Sequence, residues 1–130
     1  MTETTGFGSF PKQHLEFFNA LDADGWEAVQ GFDGIETKVL SGCFDHAAAS
    51  GAVTRITRWA AGTVSPKLSV HDWCEEVFIV SGSLTIGTPG NEEKTLAVGT
   101  YAVRPPHVPH GPFFTRDGCV MLEFLYYPPS

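Results

Sequence analysis

Basic residues are scarce in this 130-residue sequence, and they are not clustered. Eight Lys and Arg stand against fifteen Asp and Glu, which gives a net charge of −7, and the basic residues are scattered from Lys12 to Arg116. A surface that binds nucleic acid or an anionic membrane needs clustered Lys and Arg, so we expect neither partner. Long apolar runs are also lacking, which argues against membrane-spanning helices, while a hydrophobic content of 42% argues against a disordered chain.

Cysteines and targeting signals are equally scarce. The three cysteines, Cys43, Cys74 and Cys119, form an odd set without a CxxC motif, so a disulfide framework is not expected. The residues from Met1 to Phe10 contain neither the basic nor the apolar stretch of a signal peptide. We therefore expect a cytoplasmic protein.

Turn-forming residues and short apolar segments are abundant. The sequence contains 14 glycines, 9 prolines and 10 phenylalanines. Apolar segments separated by Gly or Pro recur about every 8–12 residues, which is typical of a single all-β domain built as a sandwich or barrel. The expected strands are 35–40, 52–60, 76–80, 83–86, 95–98, 100–103 and 119–126.

Helical spacing occurs at one place, residues 12–21, where Leu15, Phe18 and Leu21 fall on one stripe. This pattern predicts one short helix. We expect residues 1–30 to form an N-terminal arm, with this helix packed on a single barrel formed by residues 31–130.

Two segments bring histidines close to carboxylates or into a Gly- and Pro-rich loop. His71 precedes Glu75 by four residues, and His107 and His110 follow two consecutive prolines. On one continuous strand His71 and Glu75 would lie about 13 Å apart, too far to bind one metal ion. A tight turn over 72–74 is therefore expected to place them opposite each other on adjacent antiparallel strands, with a third ligand coming from the loop that carries His110.

The first segment resembles the first motif of the cupin superfamily, G-x5-H-x-H-x3-4-E-x6-G. The matching residues are Ser69-x-His71-x3-Glu75-x6-Gly82. Ser69 occupies the position of the first histidine of that motif.

The second segment is similar to the second cupin motif, G-x5-P-x-G-x2-H-x3-N. The matching residues are Gly99-x5-Pro105-x-His107-x2-His110, with His107 at the glycine position and Phe114 at the asparagine position. The run that follows Gly99 further resembles small single-domain cupins of the acetylacetone-dioxygenase and ChrR-like type.

The resemblance implies a fold and a set of metal ligands. The fold is all-β, a cupin double-stranded β-helix or jelly-roll barrel of two packed antiparallel sheets, with the short helix at its N-terminus. The ligands carried over are His71, Glu75 and His110, while the neutral hydroxyl of Ser69 is a poor ligand. Two imidazoles and a carboxylate suit Fe(II) with open positions for substrate and dioxygen, and they equally suit Zn(II) completed by water. The same donors can also bind Ni(II) or Mn(II), and a degenerate site would bind no metal at all.

The function implied is that of a mononuclear metal-dependent enzyme acting on a small organic molecule. Fe(II)-dependent dioxygenation with C–C cleavage of a diketone-like or enolisable substrate is the favoured reaction. A redox-inactive isomerase, lyase or cyclase is the second hypothesis. A non-enzymatic sensor of a metal or a metabolite is the third, because one fold can carry many functions.

Arginines and one further histidine are candidates for contact with the substrate. Arg104 or His107 would orient the substrate, although His107 could also be a fourth ligand, a proton shuttle or a residue of the pocket rim. A guanidinium that points into the barrel would bind a substrate carboxylate through two hydrogen bonds. Arg55 and Arg58 are separated by an odd number of residues, so only one of them can point inward from a regular strand.

The segment 76–80 is apolar on both of its faces. Strand alternation places Glu76 on the face opposite Glu75, together with Phe78 and Val80. Phe78 and Val80 would then be exposed to solvent unless a surface outside the barrel buries them. Because cupins of this size usually pair, we expect a homodimer that buries them. The residues expected to line the barrel are Val77 and Ile79.

Overall fold

The chain folds into two antiparallel sheets. Residues 6–129 are described by a computed structural model. The strands are β1 (Glu27–Ala28), β2 (Ile35–Asp45), β3 (Ser50–Trp59), β4 (Val64–Ser65), β5 (Cys74–Gly82), β6 (Leu84–Thr88), β7 (Asn91–Leu96), β8 (Tyr101–Arg104), β9 (Phe113–Phe114) and β10 (Cys119–Tyr126). One sheet has six strands in the order β1-β2-β3-β10-β5-β8, and the other has four in the order β4-β9-β6-β7. The predicted all-β architecture of two antiparallel sheets is confirmed.

The inward-facing side chains of the larger sheet lie in three rows across its strands. At the end where β5 begins, two neighbouring rows each combine two charged and two apolar side chains, and a mainly apolar row lies beyond them. Because every second residue of a strand shares a face, these rows line the barrel interior. The three rows are Val53–Leu125–Glu75–Arg104, Arg55–Glu123–Val77–Ala102 and Thr57–Met121–Ile79.

The hydrophobic core lies at the apolar end of these rows. Ile79 and Met121 from the larger sheet pack with Leu84 from β6 and with Cys119, and all four side chains are buried. Burial raises the pKa of the Cys119 thiol to about 11, so this cysteine is a neutral core residue. The partly buried side chains around this cluster are Trp59, Val77, Leu96 and Phe113.

The helix predicted for residues 12–21 is wrong. This segment has no regular secondary structure, and no helix, in particular none that could cross a membrane, occurs within residues 6–129. The stripe formed by Leu15, Phe18 and Leu21 remains more than half exposed. An isolated helix of about ten residues is only marginally stable in water unless its apolar face is buried. The described residues do not bury this stripe.

The N-terminal segment is instead held against the larger sheet by polar contacts. Lys12 Nζ donates to Thr54 Oγ1 of β3 at 2.7 Å. The Trp26 ring lies 4.0 Å from the Arg58 guanidinium, a cation–π contact that fixes the chain just before β1. Pairing of β1 with β2 then extends the sheet.

The alternation predicted for residues 76–80 is confirmed. Ile79 is buried on the face that carries Glu75, whereas Phe78 and Val80 are each 40% exposed on the opposite face. They belong to an exposed surface on β5, β8 and β10 that we call the outer apolar patch. Its residues are Phe78, Val80, Tyr101, Val103 and Phe124.

We predict that a second copy of the chain covers the outer apolar patch, so Phe78→Glu should yield a monomer or an aggregate. Full burial of a Phe side chain is worth about 1.5–3 kcal/mol, and a carboxylate would reverse that gain. Multi-angle light scattering measures the mass. Val98→Glu is the control, because Val98 is also apolar and exposed but lies outside the patch. A Phe78→Glu variant with wild-type mass and thermal stability would contradict the dimer.

Candidate metal centre

Backbone hydrogen bonds hold the two histidine-bearing segments side by side. The Ser69 amide donates to the His110 carbonyl at 2.8 Å, and the His110 amide donates to the Ser69 carbonyl at 3.0 Å. The His107 amide donates to the His71 carbonyl at 2.7 Å. The loop after β8 therefore pairs with the segment before β5, and this pairing determines where His71 and His110 lie.

His71 and Glu75 converge by a bend and not by a hairpin. The chain bends at Asp72 and Trp73, and β5 already begins at Cys74. The prediction of a tight turn over 72–74 that sets His71 opposite Glu75 on an adjacent antiparallel strand is therefore wrong. His71 precedes the strand and hydrogen bonds with the loop residue His107.

Three side chains meet at the polar end of the barrel. Glu75 Oε2 lies 3.3 Å from His110 Nε2 and 3.7 Å from His71 Nε2. One ligand atom from each residue lies within 4.8 Å of the others, and within residues 6–129 this is the one group of His, Cys, Asp and Glu with such geometry. The three residues predicted as ligands are therefore brought together.

Burial sets the protonation of this cluster. It lowers the pKa values of His71 and His110, which favours the neutral imidazoles that metals bind. Burial also raises the pKa of Glu75, with a second contribution from the nearby Glu123 carboxylate. Arg104 opposes that rise, since its Nη1 lies 3.5 Å from Glu75 Oε2.

The donor set fits a divalent transition metal. Glu75 Oε2 is buried and accepts no hydrogen bond from the described residues, although it is the oxygen that faces both imidazoles. A buried carboxylate oxygen without a hydrogen bond is costly, and a cation would satisfy it. Two neutral nitrogens and one carboxylate oxygen suit Fe(II) or Zn(II).

Ser69 lies on the same side as His110. The two residues form an isolated antiparallel bridge and exchange both backbone hydrogen bonds. Residues that are directly opposite in such a pair project to the same face. The side chain in the position of the missing histidine therefore projects from the same face as one of the candidate ligands.

The aromatic ring of Trp73 supports the cluster from outside. It stacks on the His71 imidazole with 4.8 Å between centroids and 6° between planes. Phe44, His46 and Tyr127 lie around Trp73 with centroid distances of 5.2, 5.3 and 5.9 Å. This packing restricts the orientation of His71, and it depends on contacts between distant segments that local sequence patterns do not reveal.

Arg104 and His107 occupy different places. Arg104 points inward beside Glu75, whereas the His107 side chain is 71% exposed and lies 3.6 Å from the Asp72 carboxylate. His107 is outside the three-residue cluster and lies at its rim.

Arg55 and Arg58 separate to the two faces of β3, as their spacing predicts. Arg58 points outward and its Nε donates to Glu36. Arg55 points inward, and its Nε donates to Glu123 Oε1 at 2.6 Å. Glu123 was not predicted from the sequence, although it carries a signal as an acidic residue at an inward position of the otherwise apolar strand β10.

Glu76 lies on the outer face, as predicted. Its carboxylate accepts hydrogen bonds from the hydroxyls of Tyr101 and Tyr126 at 2.6 and 3.0 Å. A wide cleft of about 1720 Å³ lies next to Glu76, between the N-terminal segment and the outer face of the sheet, and the three cluster residues do not line it. The candidate metal centre is therefore separate from this cleft.

Comparison with known families gives a match over most of the chain. The family model of the ChrR cupin-like domain matches residues 16–127. A search of curated proteins finds no match.

Solved structures with a similar fold include enzymes of different kinds. The polyketide cyclase RemF from Streptomyces resistomycificus is 20% identical, with a TM-score of 0.65 over 89% of this chain and 83% of that protein. An RmlC-like cupin from Shewanella frigidimarina is 18% identical, with a TM-score of 0.64 over 93% and 97%. An acetylacetone dioxygenase from Acinetobacter johnsonii is 17% identical, with a TM-score of 0.63 over 88% and 76%. At these identities the similarities show the cupin double-stranded β-helix fold alone.

Proposed function

The chain belongs to the ChrR cupin-like domain family, and on that premise we propose that it is a mononuclear metal-dependent enzyme acting on a small organic molecule. The proposed reaction is Fe(II)-dependent dioxygenation with C–C cleavage of a diketone-like or enolisable substrate. One observation carries the proposal: His71, Glu75 and His110 converge on a buried carboxylate oxygen that lacks a hydrogen bond, beside the guanidinium of Arg104.

His71, Glu75 and His110 would hold the metal in this proposal. Fe(II) supplies the one-electron chemistry that lets dioxygen react with an organic substrate, at coordination positions that three protein ligands leave open. Ser69, on the same face as His110, contributes no strong ligand of its own. The fold is shared with an acetylacetone dioxygenase, whose name refers to a diketone substrate of the kind proposed here.

Arg104 and His107 would contact the substrate from two sides. The enolate form of such a substrate carries negative charge on oxygen, and the Arg104 guanidinium inside the barrel would stabilise that charge. His107, held near Asp72 at the rim, would contact the substrate from the solvent side. Arg104→Gln therefore tests the inner contact and His107→Gln the outer one.

The decisive experiment combines elemental analysis with oxygen uptake. The protein is purified without added metal, its metal content is measured, and oxygen consumption is followed with a panel of 1,3-diketones and enolisable oxo acids. Iron together with substrate-dependent oxygen uptake would support the proposal. Zinc or nickel without oxygen uptake would favour the isomerase, lyase or cyclase, and a protein that binds no metal would favour a metabolite sensor.

We predict that Ser69→His raises the affinity for divalent metal by about tenfold or more, because it adds a fourth ligand on the face of His110. The same change should slow turnover, because the position it fills would otherwise accept the substrate. Titration with a competing chelator measures the affinity. Ser69→Ala is the control and should leave affinity unchanged. A folded Ser69→His variant with wild-type affinity would show that Ser69 does not face the metal.

A further inference from the structure

The guanidinium of Arg104 lies inside the barrel without a hydrogen bond. Its side chain is only 21% exposed, and its Nη1 is 3.5 Å from Glu75 Oε2, beyond a well-formed hydrogen bond. Within the described part of the chain it has no other polar contact. An arginine carries five N–H donors, and those of Arg104 remain available to a ligand that enters the barrel.

The guanidinium of Arg55 is held in place but only partly satisfied. Its Nε donates to Glu123 Oε1, which also accepts a hydrogen bond from Thr57 Oγ1 at 2.7 Å. Glu123 is buried, so this contact fixes one edge of the guanidinium firmly. Neither Nη group of Arg55 has a hydrogen-bond partner among residues 6–129. The remaining edge, formed by the two Nη groups, can bind a carboxylate through two parallel hydrogen bonds.

The charges inside the barrel balance only without a metal. Glu75 and Glu123 carry two negative charges, and Arg55 and Arg104 carry two positive charges in the adjacent rows. Imidazoles that bind a metal through a ring nitrogen are neutral, so a divalent ion would leave an excess of two positive charges. The Arg55 and Arg104 side chains are 31% and 21% exposed, and an excess of like charge in such a partly desolvated interior is unfavourable. The molecule that completes the site should therefore be an anion.

We infer that the substrate is a small enolisable oxo acid and that Arg55 binds its carboxylate through the two Nη groups. The inference rests on the proposed function and narrows its substrate from any enolisable ketone to one that carries a carboxylate. Arg104, closer to the metal ligands, stays available for the negatively charged oxygen of the substrate's enolate form. Glu123 is a positioning residue that holds the Arg55 guanidinium.

Two probes that differ by one carboxylate test the inference. Acetylacetone is a neutral 1,3-diketone, and 2,4-dioxopentanoate has the same diketone with a carboxylate in place of one methyl group. Binding of each to the zinc-loaded protein is measured by isothermal titration calorimetry, where no turnover occurs. We expect 2,4-dioxopentanoate to bind about tenfold tighter or more. Arg55→Gln should abolish this preference while zinc affinity stays within about threefold of wild type.

Matched variants separate a binding role from a structural one. Arg58→Gln, which removes an arginine from the outer face of the same strand, should keep the preference. If Arg55→Gln does not fold because Glu123 is left without its partner, the double variant with Glu123→Gln removes both charges and should also lack the preference. Arg55→Lys keeps the charge but not the planar pair of donors, and it should bind the carboxylate less tightly than wild type.

The outcomes separate the inference from the proposed function. Equal binding of the two probes by the wild-type protein would overturn the inference and leave the proposed function standing. A preference that persists in folded Arg55→Gln would also overturn it. Failure of both probes to bind a protein that holds stoichiometric zinc would overturn the inference together with the proposed diketone-like substrate.

Discussion

His110→Ala is expected to abolish stoichiometric binding of divalent metal, and His71→Ala and Glu75→Ala should do the same. The ligand atoms of these residues are the three that lie within 4.8 Å of one another. Loss of a residue that only orients a ligand weakens metal binding by about 10–100-fold, so loss of a ligand itself should exceed that range. Elemental analysis of the purified variants and titration with zinc measure the effect.

His107→Ala is the matched control for this series. It removes the same type of side chain three residues before His110, but that side chain is 71% exposed and outside the cluster. It should retain metal, and all four variants should keep the circular dichroism spectrum of a β-protein. Full metal content in any two of the three ligand variants would refute the assignment.

Gly82→Ala should prevent folding or destabilise the barrel by more than about 4 kcal/mol, which is exceptional for a point substitution. Gly82 ends β5 with φ of +74°, and an added Cβ would lie 2.0 Å from the carbonyl oxygen of Gly118. That oxygen belongs to the backbone and also accepts a hydrogen bond from the Ser83 amide, so it cannot move away cheaply. Thermal unfolding followed by circular dichroism measures the loss.

Gly62→Ala provides the comparison that isolates this clash. Gly62 has a similar positive φ of +83°, but an added Cβ would meet nothing within 4 Å. Gly62→Ala should lower the free energy of unfolding by about 1–2 kcal/mol, the cost of a positive φ for a residue with a Cβ. Equal melting temperatures for the Gly62 and Gly82 variants would mean that the close approach of Gly118 does not affect the stability of the Gly82 variant.

Strands could be predicted from the sequence where a local pattern of apolar and turn-forming residues marks them. Strands that form only because they pair with a neighbouring strand were missed. The strands β5 and β10 contain runs of apolar residues bounded by turn-forming residues, and both were predicted. The two-residue strands β1, β4 and β9 exist only because another strand lies beside them, so their sequences carry no signal. Residues 12–21 show the reverse error, because helical spacing does not reveal whether a surface is available to cover the stripe.

The ligands of the candidate site could be named from the two motifs, but the means of their convergence could not. The bond from the His107 amide to the His71 carbonyl joins segments distant in the sequence, and local sequence does not encode it. Glu123 was missed for the same reason. Its importance arises only when β10 pairs with β3 and brings it opposite Arg55.

The three rows of inward-facing side chains give the two ends of the barrel different evolutionary freedom. The row with Glu75 and Arg104 contains the groups that would select a metal and a substrate, whereas Ile79 and Met121 at the other end form part of the buried core. Substitution of Glu75 or Arg104 would change this chemistry without opening a cavity around Ile79 and Met121. The specificity of the barrel could thus change at these two positions while the packing around Ile79 and Met121 stays intact.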